Sequence, residues 1–385
     1  MSYDEGKSEE LLLFGNSNYK NIIRTTVLFC PVSFFAEKVV KGKEKIAVFC
    51  AENDFITAKK VKDSFFKLGA AVSVIAFSEN ADEKNLLFVA ENSDMIVAVG
   101  EEPIIKKSKL VAEKSGTKIA AVYSSTKMTE AFSKPYADYI IIDEEFCFSN
   151  KKQFLIETFG EVVSSLTDLI DYKVAAVKKA AVYDKGAVTL LLEAINFALL
   201  AQSFSDARKA LSLAALKISV LKEYSDIFKF SASAEVAKYL PPDSPYGERK
   251  FRAFKALTPI YRLYLSCGSL DALPDYVRAS KDISDYFKEK EYETVLKFAP
   301  PKDEEALKEN AKLLTVVRYP ILKDLNATLA KYEYIDELYA YLYNGKKKLS
   351  SIPPKTLKKA IKAAAYSAEN NLLALLKDDG FADFI

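Results

Sequence analysis

The sequence predicts an α/β domain of Rossmann type followed by an all-α C-terminal domain. Three observations predict it. Short apolar runs alternate with helix-periodic segments up to about Phe154; beyond that point the periodicity is helical throughout; and 385 residues are too many for one ordinary core. The expected division is residues 1–155 and 156–385.

Taking the elements in order, "RTTVLFCPV" supplies a first strand and "KIAVFC" (Lys45 to Cys50) a second. The helix "FITAKKVKDSFFKLG" places Ile56, Val61, Phe65 and Leu68 at helical spacing and stops at Gly69. Strand "AVSVIAF", a helical run from Asp82 to Asn92, strand "MIVAVG", a helix from Pro103 to Ser115, and strands "KIAAVY" and "DYIIID" follow. Such alternation builds a parallel sheet with helices on both faces. Next come "VVSSLTDLIDYKVAAVKKAAVY", "AVTLLLEAINFALLAQSF" and "SDARKALSLAALKISVLKEYSDIF", then helices opening after the Pro-Pro pairs at Pro241, Pro300 and Pro353. The cleft between two such domains is the default place for a ligand.

Composition narrows the function classes. With 28% charged residues and a formal net charge of +2, the chain lacks the basic footprint of a nucleic-acid binder. The acidic start "MSYDEGKSEE" argues against a signal or transit peptide, and no apolar run reaches the roughly 20 residues that span a bilayer. Cys30, Cys50, Cys147 and Cys267 are far apart and without metal-type spacing, as in a reduced, cytoplasmic protein. The chain has no histidine, so it lacks the commonest general base and transition-metal ligand. Acid/base or metal chemistry would have to rest on carboxylates, tyrosine, lysine or cysteine.

Three segments, "DMIVAVGEEPIIKKSKLVA", "AAVYSSTKMTEAFS" and "FGEVVSSLTDLIDYKVA", together with the terminal "AAYSAENNLLALLKDDGF", carry a resemblance in their order and spacing. The chain resembles the superfamily of iron-containing alcohol dehydrogenases, glycerol-1-phosphate dehydrogenases and dehydroquinate synthases. With Gly160, Asp171 and Tyr172 in register, it is most similar to the glycerol-1-phosphate dehydrogenase branch. The resemblance covers nearly the whole chain. It implies a dehydroquinate synthase-like fold, a nicotinamide dinucleotide on the first domain and a catalytic divalent metal on the second.

At each point where that chemistry can be checked, the sequence departs from it. The family's phosphate loop uses consecutive glycines, which let the backbone approach a pyrophosphate. Here Gly100 is followed by Glu101, Glu102 and Pro103, and a lysine, Lys106, stands where the family has aspartate; the next family lysine is kept as Lys109. A carboxylate near a phosphate charge at ~4 Å costs about 1 kcal/mol in water and several times that at low dielectric. The two glutamates read either as a solvated acidic helix start or as carboxylates that occupy the anion site themselves. Ser124, Ser125 and Thr126 lie in the segment that contacts nucleotide or substrate in relatives.

The resemblance also places the family's metal ligands, an aspartate and two histidines, at Glu161, Val236 and Tyr246. Glu235, Gly247 and Glu248 survive beside them. A valine cannot ligate and a neutral phenol is a poor ligand, which leaves one carboxylate against the three protein ligands of a catalytic zinc site. Glu161 alone reads first as a helix-start carboxylate satisfied by nearby backbone donors. All three positions are expected to converge on the cleft. Arg249, Arg252 and Lys255, spaced i, i+3 and i+6, read as a surface stripe or an anion site, and "NGKKKLSS" as an exposed loop.

The sequence therefore points to a degenerate, noncatalytic homologue with no metal and no bound NAD(P). It would act by binding or regulation, as a homo-oligomer or paired with an active relative. Two alternatives stand beside it. One is a metal-independent oxidoreductase that uses NAD(P) on a small polyol or sugar phosphate, with Tyr246 or Lys250 as electrophile. The other is a protein that binds a small anion in the cleft.

Overall fold

Strands Thr26–Leu28 (β1), Lys45–Cys50 (β2), Ala71–Ala76 (β3), Met95–Gly100 (β4), Lys118–Tyr123 (β5) and Tyr139–Ile141 (β6) pair side by side, all parallel, in the order β1-β6-β5-β4-β2-β3. The computed structural model describes residues 19, 23–78, 80–147, 152–199, 204–267, 304–330, 332–342, 352–367 and 370–378. The segments "APPKDEE" and "NGKKKLSS", Pro300 and the chain's last residues lie largely or wholly outside these. Every residue of β4 is buried, as is every residue of β2 and β5 after the first. Strands covered on both faces need continuous apolar runs. Among the described residues β3 pairs only with β2, and its residues are exposed or half-buried.

The helices of this unit are Val32–Val39 (α1), Phe55–Phe66 (α2), Glu83–Glu91 (α3), Glu102–Ser115 (α4) and the short Glu144–Cys147 (α5). α4 opens with a proline in its first turn and closes on Gly116 in the left-handed conformation, the standard punctuation of a helix. α2 packs through Ala58, Val61 and Phe65, whereas Ile56 is 76% exposed and Leu68 40%. Spacing alone had grouped Ile56 and Leu68 with the buried face; the true stripe runs through 58, 61 and 65.

The remaining helices are Lys152–Val177 (α6), Lys185–Leu199 (α7), Phe204–Tyr224 (α8), Ala232–Lys238 (α9), Tyr246–Cys267 (α10), Glu304–Leu329 (α11), Tyr332–Leu342 (α12), Pro354–Ser367 (α13) and Leu372–Asp378 (α14). The chain forms two compact units. One comprises Met1–Thr158 with Leu200–Tyr224; the other comprises Phe159–Leu199 with Ser225–Ile385. Helix α8 thus belongs with the sheet, although a division at 155/156 assigns it to the helical part. Its polar groups explain why: the Phe132 N–H donates to Ser219 Oγ at 2.7 Å, the Tyr136 hydroxyl to Glu223 at 3.0 Å, and Lys222 pairs with Glu130 at 3.2 Å.

Within the helical unit, α6 ends at Val177, short of the Tyr183 that its periodicity suggested. The Tyr172 hydroxyl fixes the chain beyond this end, donating to the Val182 carbonyl and accepting from the Asp184 N–H, both at 2.6 Å. One turn of α6 also organises two later helices. Asp171, fully buried, accepts from the N–H groups of Ala232 (2.9 Å) and Leu372 (3.2 Å), the first residues of α9 and α14, and from the Tyr261 hydroxyl at 3.1 Å. Burial pushes the Asp171 carboxyl well above the ordinary carboxylate range. Around it Ile170, Val174, Val236, Leu257 and Leu373 form an apolar core.

Candidate functional site

In a parallel sheet that reverses its strand order, ligands bind beyond the carboxyl ends of the strands at the reversal. Here the reversal lies between β2 and β4. The turn after β4 begins at Gly100, whose φ of +151° favours glycine. A Cβ at that position would lie 3.1 Å from Asp54 Oδ2, a carboxylate that closes the short helical turn Glu52–Asp54 after β2. Asp54 is buried. A side chain facing the glycine of the would-be phosphate loop is therefore an acid from the turn that follows the neighbouring strand.

The two glutamates behave differently from one another. Glu101 is the N-cap of α4 by position but makes no side-chain capping hydrogen bond, and its carbonyl accepts from the N–H groups of Ile104 and Ile105, both at 3.1 Å. Glu102 turns to the following segment, where Oε1 accepts from the Glu130 N–H at 2.9 Å. The acid beside Gly100 itself is Asp54, a residue of the turn after β2, and not one of the two glutamates that follow the glycine in sequence. Pro103 stands in the first turn of α4, where it brings no N–H.

Lys109 lies two turns further along α4. Its side chain is buried, and its ammonium donates to the carbonyls of Ser133 (2.6 Å) and Ala131 (3.4 Å). Burial draws its pKa down to about 8, against the opposing pull of Glu130, Glu102 and Glu223. It helps to line a groove of about 640 Å³ along α4, together with Glu102, Pro103, Lys106, Lys107, Lys114 and Glu130. Ser124, Ser125 and Thr126 are all buried and engaged within the unit: the Ser124 N–H donates to the Gly100 carbonyl at 3.0 Å, the Ser125 carbonyl accepts from Cys147 Sγ at 3.3 Å, and Thr126 Oγ1 lies 3.3 Å from Thr158 Oγ1.

In the helical unit α6 and α10 touch backbone to backbone, because a Cβ on Gly160 would fall 2.5 Å from the Gly247 carbonyl oxygen. This contact brings Glu161 and Tyr246 together around Lys250, one helical turn beyond Tyr246. Lys250 Nζ donates to Asp168 Oδ2 at 2.6 Å, with both side chains buried. Burial opposes the charge on Lys250, but Asp168, Tyr246 and Glu161 more than offset this and raise its pKa. Val236 is elsewhere in character: it is fully buried among apolar side chains of the core. Tyr246 is 36% exposed, with the Arg249 guanidinium over its ring. The basic trio is neither a free stripe nor an open anion site. Arg249 donates to the Ala237 carbonyl at 3.0 Å, Arg252 pairs with Glu248, and Lys255 pairs with Asp336 at 2.6 Å.

The chain aligns in three dimensions with the iron-containing alcohol dehydrogenase of Corynebacterium glutamicum at a TM-score of 0.51, with 14% identity over 94% of this chain and 96% of that one. The fold is that of the iron-containing alcohol dehydrogenases. Also similar are a maleylacetate reductase from a Rhizobium species (TM-score 0.48, 13% identity, 89% and 95% covered) and a glycerol dehydrogenase from Schizosaccharomyces pombe (0.47, 13%, 84% and 91%). No family model and no curated protein matches the sequence.

The iron-containing alcohol dehydrogenase fold implies a metal and a dinucleotide, and the residues present fit neither. Among the described residues no group of three or more carboxylates or thiols is placed to hold a metal ion, and the three expected ligand positions carry a carboxylate, a phenol and a valine, with the Lys250–Asp168 ion pair beside the first two. At the Gly100 turn consecutive glycines are lacking and the Asp54 carboxylate stands beside the one glycine present. Among the described residues no helix is long and apolar enough to cross a membrane.

Sequence reasoning missed Asp54 and Asp168. Both carried weak signals. Asp54 closely follows the strand that precedes the reversal, and Asp168 stands seven residues, two helical turns, after Glu161 on the same face of α6.

Proposed function

We propose that this chain is a noncatalytic binding protein built on the dehydrogenase fold, acting through recognition rather than hydride transfer. The reading is supported above all by the Gly100–Asp54 juxtaposition, since an acid where a pyrophosphate would approach opposes the nucleotide by several kcal/mol at about 4 Å in a medium of low dielectric. The donor set at the expected metal position supports it too. We place the chain nearest the glycerol-1-phosphate dehydrogenase branch, on the register of Gly160, Asp171 and Tyr172, in a reduced cytoplasmic setting. It works as a homo-oligomer or in a pair with an active relative.

A second reading, a small-anion binding protein, is favoured by the groove along α4, where Lys106, Lys107, Lys109 and Lys114 outnumber the three glutamates Glu83, Glu102 and Glu130. Thermal unfolding with NAD, NADP, glycerol phosphate and inorganic phosphate separates the readings. Under the first reading none of these ligands stabilises the protein. Stabilisation by the phosphates alone selects the anion-binding reading. Stabilisation by a nucleotide overturns both and selects a metal-independent oxidoreductase, with Tyr246 and Lys250 as the residues to replace first.

A further inference from the structure

The helical unit buries a charge cluster whose cation is a side chain. Lys250 and Asp168 are 3% and 0% exposed as side chains and meet at 2.6 Å. Asp168 accepts from three donors: Oδ1 from Ser231 Oγ at 2.6 Å and Ser233 Oγ at 2.8 Å, and Oδ2 from the ammonium. The Lys250 ammonium also lies over the Phe228 ring, with Nζ 5.3 Å from its centroid. Glu161, itself 3% exposed, lies close enough to act on the same ammonium. One buried carboxylate thus holds this ammonium in a direct ion pair, and a second lies within electrostatic reach of it.

Removing an ion from water carries a penalty of several kcal/mol even after relaxation, so buried carboxylates two turns apart on one helix face need a compensating positive charge. In a metalloprotein a bound cation supplies it. We infer that the Lys250 ammonium is the resident cation of this site, a covalently built-in replacement for the divalent metal that the fold family implies. Glu161 and Asp168 are its counter-ions, and Gly160 permits the helix approach that brings them together. The inference goes beyond the binding-protein reading, because it holds whether or not the chain catalyses a reaction.

The test uses the full-length purified protein. For the wild type, elemental analysis should find far less than one transition metal per chain, and neither a chelator nor added Zn²⁺, Fe²⁺ or Mn²⁺ should move the thermal midpoint. Lys250→Met should lower the folding equilibrium constant about a hundredfold or more, as when one partner of a buried pair is removed. Adding Glu161→Gln to Lys250→Met should recover part of that loss, while Glu161→Gln alone should stabilise nothing. A stoichiometric metal, a wild-type midpoint that falls with chelator, a Lys250→Met protein as stable as wild type, or strictly additive effects of the two substitutions would each overturn the inference. If Lys250→Met does not fold, the wild-type measurements still decide.

Discussion

Gly160 and Gly247 lie so close that a Cβ on Gly160 would stand 2.5 Å from the Gly247 carbonyl oxygen. The nearest atoms are backbone, which cannot swing aside, and Phe251 Cβ is a further neighbour at 3.1 Å. Gly160→Ala should therefore destabilise the helical unit by about 1–3 kcal/mol through overpacking, even though alanine is favoured over glycine in a helix interior by about 1 kcal/mol. Urea unfolding of the variant checks this. A variant as stable as the wild type would mean that the helices separate freely at this crossing.

Lys109 should make stability depend on pH in an unusual direction. Its folded pKa of about 8 lies below the ordinary 10.5, so between these values the unfolded chain holds more protons and stability rises with pH. The rise begins near pH 8, is complete near pH 10.5, and amounts to about 3 kcal/mol as an order of magnitude. Buried Cys147 and Tyr123, whose pKa values burial raises, act in the opposite sense. The informative quantity is therefore the difference between wild type and Lys109→Met, measured by urea unfolding at several pH values. A flat difference would remove the case for a buried, weakly basic amine.

Nucleotide affinity should rise stepwise as the acids at the β2 and β4 ends are removed. Glu101→Gly with Glu102→Gly should improve NAD binding slightly in calorimetry, and adding Asp54→Asn should improve it further, because Asp54 faces Gly100. Pro103 would still withhold one donor. Tight binding of NAD or NADP by the wild type, or an Asp54→Asn substitution without effect, would contradict this account.

Tyr172→Phe should cost about 1–3 kcal/mol, because the Asp184 N–H and the Val182 carbonyl both lose the hydroxyl that joins them. The loss should also appear as faster hydrogen exchange at the Asp184 amide. Unchanged exchange there would show that α6 and α7 are joined by other contacts.

Much of the fold was legible because its causes are local. β2, β4 and β5 are covered on both faces, so their sequences must be unbroken apolar runs, and these can be read without coordinates. Helix α4 announces both its ends, with Pro103 at the start and Gly116 at the stop. The β3 strand, at the sheet edge, was found with nearly the same bounds even though none of its residues is buried. The buried face of α2 was only half read: periodicity is satisfied by several neighbouring stripes, and only packing chose Ala58 over Ile56.

The sequence by itself determined the alternation that makes a parallel sheet, the change to helices, the lack of histidine, and the acidic turn after Gly100. Tertiary structure alone decided that α8 returns to the sheet unit, that Asp54 faces Gly100, and that Asp168 meets Lys250 across 82 positions of chain. The physical reason is range. Strand and helix periods are set by neighbours within a turn or two, whereas a buried charge finds its counter-ion through packing of distant segments, which no local pattern encodes.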